Sequence, residues 1–94
     1  MGRLFDQVRA AVAADRYVIG NHADDRLRER GIMGWQVIDG IQAGRLIAER
    51  PDDQPNPLVE VGQVLADGSP IKAVWSLIVA HDTAKLVTIH FFNR

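Results

Sequence analysis

The sequence contains no cysteine, which excludes disulfide bonds, thiolate metal sites and cysteine nucleophiles. A chain of this size without disulfides is typical of a reducing compartment, so we expect a cytoplasmic location. The three histidines are dispersed without metal-ligand spacing, and no glycine-rich phosphate loop is present. We therefore expect neither a bound metal nor a cofactor.

The sequence also lacks an apolar run long enough to cross a membrane. Asp6 and Arg9 interrupt the N-terminal segment early, where a signal peptide would carry a continuous apolar stretch. We therefore expect a soluble protein with no membrane partner.

An excess of positive charge is missing as well, because 11 Lys and Arg residues face 12 Asp and Glu residues and the net charge is −1. General nucleic-acid binders usually carry a clear positive excess. Any contact with phosphate must therefore come from a local cluster of basic side chains. Alternatively, a partner protein or a second copy of the chain completes the site.

The 94 residues, 47% of them apolar and 24% charged, are typical of one globular domain covering residues 1–94. In the first half of the chain, apolar residues recur at helical spacing, as Leu4, Val8 and Val12 do. Helices are predicted over residues 3–14, 22–30 and 35–43. Asn21 is the expected N-cap of the second helix and Gly31 its stop.

Between the first two predicted helices, residues 17–19 form a short apolar run that fits either a short strand or a packed connection. In the second half the pattern becomes alternating, and strands are predicted over residues 45–50, 58–66, 71–80 and 85–92. Three of the four prolines lie in one loop, residues 51–57. This order predicts an α+β fold, with N-terminal helices packed on one face of a roughly four-stranded antiparallel sheet.

The last two predicted strands indicate which sheet face is free. A short turn around residues 82–83 pairs Trp75 with His90 and places Thr88 beside them on a semi-polar face. The opposite face, with Val74, Ile78, Val87, Ile89 and Phe91, is the expected core. A slip of one residue in the pairing would reverse this assignment.

His22 and Arg26 are neighbours on one helix, and Arg30 continues their row. Histidine transfers protons near neutral pH, and the arginine fork binds phosphate. Together they suit the attack of an RNA 2′-hydroxyl on the adjacent phosphate. On spacing alone the structural alternative is favoured, in which His22 supports the helix start and Arg26 pairs with an acidic neighbour.

His90 is the second candidate acid or base, opposite Trp75, which could stack on a base. The alternative is a half-buried sheet histidine beside a core tryptophan. Lys72 and Arg94 are candidate phosphate contacts, although charges at strand ends also protect sheet edges.

The segment from His22 to Ile32 reads H-A-D-D-R-L-R-E-R-G-I and is similar to the opening motif of a bacterial family of unknown function, H-A-x-x-R-x-x-E-R-G-I. Residues 51–55 resemble its later pd-x-p loop, and residues 88–90 resemble its T-x-aromatic signature, with His90 in the aromatic position. The resemblance covers about residues 19 to 92.

That family resembles the RelE/ParE-like toxins of toxin–antitoxin systems. The resemblance implies a RelE-like fold, ribonuclease activity without metal, and an antitoxin partner. It also implies catalytic residues on the sheet and near the C-terminus, where His90 and Arg94 lie. RelE-like ribonucleases are usually basic, and this chain is not.

Two hypotheses follow. In the first, the chain is a toxin-like, metal-independent endoribonuclease: His22, His90 and Arg26 are catalytic, Arg26, Arg30, Lys72 and Arg94 bind phosphate, and Trp75 stacks on a base. In the second, the same sheet face is a non-enzymatic module that binds a protein partner or forms a homodimer. A degenerate toxin that kept only the fold lies between them.

Overall fold

The computed structural model describes residues 2–92. Its three α-helices are α1 (Arg3–Ala13), α2 (Asn21–Glu29) and α3 (Gly34–Gly40), and a 3-10 turn at Ile41–Ala43 follows α3. The five strands are β1 (Tyr17–Ile19), β2 (Arg45–Arg50), β3 (Leu58–Val64), β4 (Pro70–Ile78) and β5 (Thr83–Phe91). Within this part of the chain, no helix has the length and apolar character needed to cross a membrane.

The strands form one mixed sheet in the order β1-β5-β4-β3-β2. The predicted α+β class is confirmed, but the prediction of four strands, all antiparallel, is wrong. The extra strand is β1, which pairs in parallel with β5. The ladder ends where the Gly20 amide donates to the Leu86 carbonyl at 2.9 Å. A strand of three residues shows too little alternation to be recognised, which is why the sequence did not decide between a short strand and a packed connection for residues 17–19.

Helix α2 begins one residue earlier than predicted. Its N-cap is Gly20, in the extended region and without a side-chain capping bond, so the prediction of Asn21 as N-cap is wrong. The Gly20 carbonyl accepts the Asp24 amide at 2.9 Å, which draws Asn21 into the first turn. At the other end, Gly31 has a φ of +65°, the left-handed conformation expected of a C-terminal glycine.

The helices pack on one face of the sheet, and apolar side chains fill the space between the two layers. From α1, Leu4, Val8 and Val12 point into this core. Trp75 is its largest fully buried side chain. The other fully buried large residues are Val8, Val37, Ile41, Val59, Val61, Ile71, Leu86 and Ile89. We call the opposite side of the sheet the outer face.

The predicted pairing of Trp75 with His90 is wrong. A 3-10 turn at Val79–His81 separates β4 from β5, so Trp75 pairs with Leu86 and His90 pairs with Lys72. Between these pairs Val87 is an extra residue, because Val74 pairs with Thr88 and the register shifts by one. This bulge moves His90 to the face opposite Trp75.

The assignment of the two faces is wrong for β4, whereas at the end of β5 it is confirmed, because Ile89 is buried in the core and His90 is exposed. The Trp75 side, with Ile71, Ala73 and Leu77, forms the core. The Val74 side faces away from the helices. The physical reason is the size of the tryptophan, because burying its ring removes more apolar area from water than burying valines does.

Candidate functional site

The outer face carries basic side chains in two rows that run across the strands. In the first row, Arg45 of β2, Gly62 of β3, Lys72 of β4 and His90 of β5 are successive cross-strand partners. Gly62 has no side chain, and the Arg45 guanidinium lies over it: a Cβ at Gly62 would be 3.4 Å from Arg45 Nη2. Arg45, Lys72 and His90 therefore form one basic strip across four strands.

The second row lies four residues further along β4. Arg50, Leu58, Ser76 and Lys85 are its successive cross-strand partners. Between the two rows stands Glu60, the only acidic strand residue on this face within residues 2–92. The outer face is therefore locally positive in a chain whose net charge is −1.

Glu60 ties two of these basic residues together. Its carboxylate accepts from Arg50 Nη2 at 2.6 Å and lies 3.4 Å from the Lys72 ammonium. The hydrogen bond from Arg50 is the main cause that lowers the pKa of Glu60, with Lys72 adding to it. The same contact raises the pKa of Arg50. Glu60 and Arg50 are therefore both charged at neutral pH, and the contact with Glu60 holds the Lys72 side chain on the strand position that pairs with His90.

His90 is exposed on the outer face, beside Lys72 in the ladder. This placement brings together two of the residues predicted for the site. Arg45 belongs to the same row but was not among the candidates. The alternating pattern of β2 was the signal that could have found it, because Arg45 begins the strand on the same face as Lys72.

Arg26 and Arg30 are also brought together, but elsewhere. Arg26 Nε donates to the Ile89 carbonyl at 3.1 Å, and the Arg30 guanidinium lies 4.1 Å from the centre of the Phe91 ring. Phe91 pairs with the buried Ile71, so its ring faces the helix side of β5. The two arginines therefore lie at the edge of β5, with the strand between them and the His90 side chain.

His22 is exposed in the first turn of α2, one helical turn before Arg26. Among the residues that the structure describes, no hydrogen bond joins His22 to His90 or to Lys72. The structural alternative for Arg26 is corrected in detail, because its partner is the Ile89 carbonyl and not an acidic side chain.

Trp75 cannot stack on a base. Its side chain is 0% exposed, and its indole Nε1–H donates to Gln63 Oε1 at 3.0 Å inside the core. The predicted stacking role is therefore wrong, and its cause is the reversed face assignment described above. Arg94, the remaining predicted phosphate contact, lies outside the described residues.

Over residues 2–92, no group of three or more histidine or acidic side chains is arranged to hold a metal ion. The charges of the outer face are instead those of a surface that attracts an anion.

Comparison with known proteins adds a family. The protein-family model described as Domain of unknown function (DUF4258) matches residues 19–91. No curated protein and no solved structure matches the chain. The matched range includes α2, strands β2 to β5 and both basic rows. The chain therefore belongs to this family.

Proposed function

We propose that this member of the DUF4258 family is a metal-independent endoribonuclease of the toxin–antitoxin type, built on a RelE-like fold, which binds RNA on its outer face. One observation carries the proposal: the outer face gathers Arg45, Arg50, Lys72 and Lys85 around a single carboxylate. Four of the 11 Lys and Arg residues of this near-neutral chain lie there, and local positive charge of this kind is what an RNA-binding surface requires.

The row of Arg45, Lys72 and His90 supplies the chemistry. The Arg45 guanidinium and the Lys72 ammonium bind the scissile phosphate as it gains negative charge. The missing side chain at Gly62 leaves room for the guanidinium between the two strands. The neutral imidazole of His90 takes the proton of the 2′-hydroxyl. The 2′-oxygen then forms a bond to phosphorus as the bond to the 5′-oxygen breaks, and a proton is delivered to that leaving oxygen.

The second proton donor is assigned to His22. RNA that crosses the edge of β5 toward α2 passes the exposed first turn where His22 lies. Arg26 and Arg30 are the candidate phosphate contacts at this edge. Arg26 uses Nε for the Ile89 carbonyl, which leaves its terminal nitrogens to face a phosphate.

A toxin of this type needs a protein that silences it. The proposal therefore includes an antitoxin that covers the outer face, with acidic side chains over the two basic rows, and a cytoplasmic location for both proteins. Charge complementarity of this kind sets partner choice and the rate of association.

The test compares matched histidine variants. His90→Ala removes the proposed base, and His81→Ala is its control, because His81 is exposed in the turn between β4 and β5. Wild type should arrest growth when induced and should cleave labelled RNA in the presence of EDTA, leaving 2′,3′-cyclic phosphate ends. His90→Ala should slow cleavage by about 10²-fold or more, while His81→Ala should not.

His22→Ala, alone and combined with His90→Ala, tests whether His22 donates the proton to the leaving 5′-oxygen. If His22 donates the leaving-group proton, His22→Ala should remove the fall in rate on the alkaline side of the pH–rate profile, because that fall reports loss of the proton from the general acid. RNA left intact by folded wild type, together with normal growth on induction, contradicts the ribonuclease proposal.

A second candidate function is a non-enzymatic binding module, favoured by the apolar end of the outer face. Ile47, Val64 and Phe92 are exposed there and line one pocket. Such a patch is typical of a protein-binding surface. If the chain pairs with itself through this patch, Val64→Asp should convert a dimer to a monomer in light scattering. A monomer at all concentrations, in wild type and variant alike, contradicts self-association.

A further inference from the structure

A separate pocket lies on the outer face beneath the proline-rich loop. It has a volume of about 260 Å³ and is bounded by the loop on one side and by β3, β4 and β5 on the other. Leu58 and Val87 give it apolar walls, and the Pro55 ring lies opposite them. Ligand pockets for drug-sized molecules start near 300 Å³, so this one suits a single flat ring system.

The pocket also holds polar groups that lack partners. Ser76 lines it and is only 4% exposed, yet its hydroxyl makes no hydrogen bond in the described part of the chain. Within residues 2–92 the buried side-chain atom that lacks a partner is Arg9 Nε and not Ser76 Oγ, so the Ser76 hydroxyl is accessible and can bond to a ligand in the pocket. Within residues 2–92, the amides of Gln54 and Asn56 at the rim are also without hydrogen-bond partners.

Lys85 completes the pocket with a charge. It is the cross-strand partner of Ser76 and lines the same space. Among the described residues no carboxylate pairs with it. A Cβ at Gly20 would be 3.8 Å from Lys85 Nζ, so the ammonium lies on the β1 side of the pocket. An ammonium beside a half-apolar pocket suits a ligand that carries an anion beside a flat ring.

We propose that this pocket binds one nucleotide of an RNA chain: the base between Pro55 and Val87, its edge hydrogen-bonded by Ser76 and Asn56, and its phosphate contacted by Lys85. The inference deepens the proposed function, and it rests on that function in taking RNA as the source of the nucleotide. Ser76 and Lys72 are four residues apart on β4, about 13 Å. The pocket therefore reads a base near the scissile bond and sets sequence preference.

The experiment is a titration of ¹⁵N-labelled wild-type protein with AMP, CMP, GMP and UMP, followed by amide chemical shifts. Monophosphates contain no bond between nucleotides, so binding is measured apart from cleavage. Shifts should concentrate at residues 54–58, 76 and 85–87, and one base should bind at least about threefold more tightly than the others.

Variants separate the base from the phosphate. Lys85→Ala should weaken binding of every monophosphate by about tenfold, with the base preference retained. Asn56→Ala, a rim substitution that leaves the sheet intact, should reduce the preference. Ser76→Ala should do the same. Ser69→Ala in the β3–β4 turn and Arg28→Ala on the solvent side of α2 are the matched controls, and both should bind as wild type does.

Inorganic phosphate and the uncharged nucleosides complete the design. If phosphate alone produces the same shifts and affinity as the nucleotides, the pocket is an anion site and the inference is overturned. An absence of shifts at 54–58, 76 and 85–87 with all four monophosphates also overturns it, even when wild type cleaves RNA. Nucleotide binding by a protein that leaves RNA intact supports the pocket and overturns the ribonuclease proposal.

Discussion

The two faces of the sheet are made by the same strands but differ in composition and in burial. In β4, Ile71, Ala73 and Trp75 point toward the helices and are buried, while Lys72 points outward and contacts Glu60. The inner face is apolar except where Gln63 meets Trp75 and where Glu49 accepts from the Phe5 amide. Side chains alternate between the two faces along a strand, so a residue that stabilises the fold is followed by one that lies on the proposed functional surface. Substitutions on the inner face should therefore lower stability more than substitutions on the outer face.

The strongest test of this division is Trp75→Ala. Removing the largest buried side chain leaves a cavity, and we expect a loss of about 3–5 kcal/mol in the free energy of unfolding. Urea denaturation followed by circular dichroism measures it. Trp35→Ala is the matched control, because Trp35 is 56% exposed, and it should cost about 0.5 kcal/mol or less. Equal losses for both tryptophans would contradict the assignment of faces.

Gln63→Ala tests the buried polar link between β3 and Trp75 on the inner face. The side chain accepts from Trp75 Nε1 and donates to the Val37 carbonyl at 2.8 Å. Its removal leaves both groups unpaired in the core, and we expect a loss of about 1–3 kcal/mol. A double-mutant cycle with Trp75→Phe isolates the bond between the two side chains. Additive losses would show that the two residues do not interact.

Arg26→Ala probes the edge of β5, between the two faces. It removes the hydrogen bond to the Ile89 carbonyl and the contact with the Phe91 ring. We expect a loss of about 1–2 kcal/mol in unfolding free energy. Arg28→Ala on the same helix is the control, since its pair with Asp24 is solvent-exposed and worth about 0.5 kcal/mol at most. Amide exchange at the end of β5 should accelerate only in Arg26→Ala.

The smallest effect is expected on the outer face, from Glu60→Gln. The pKa of Glu60 is lowered in the folded protein from an ordinary value of 4.5. Its contribution is therefore present above about pH 4.5 and is lost as the pH falls through the lowered value. Wild type should exceed the variant by about 1 kcal/mol or less at pH 7. The difference should vanish near pH 2, and a constant gap across that range would contradict it.

Much of the fold was predictable, because periodicity is a local signal. The pattern of Leu4, Val8 and Val12 predicted α1, and β2 was predicted with the bounds it has, residues 45–50. The errors arose from features that carry no period. Strand β1 is three residues long, and the bulge at Val87 changes the register inside an otherwise regular strand.

The candidate site was predictable only in part, for the same reason. His90 and Lys72 were named and are cross-strand partners, although the pairing expected for His90 was with Trp75. The bulge decides which face His90 occupies, and no local pattern marks it. Arg45 was missed because its relation to Lys72 runs through Gly62 of the intervening strand, a contact set by tertiary pairing.

The bulge in β2 has a consequence for aggregation. The sheet ends in β1 at one edge and in β2 at the other, and β2, with six residues against three, offers the longer edge to another chain. Unpaired edge amides are a template for strand addition. The register of β2 shifts between Leu46 and Ala48, which breaks the even spacing of those amides. A foreign strand can therefore match only a few of them, so the bulge disfavours strand addition at this edge.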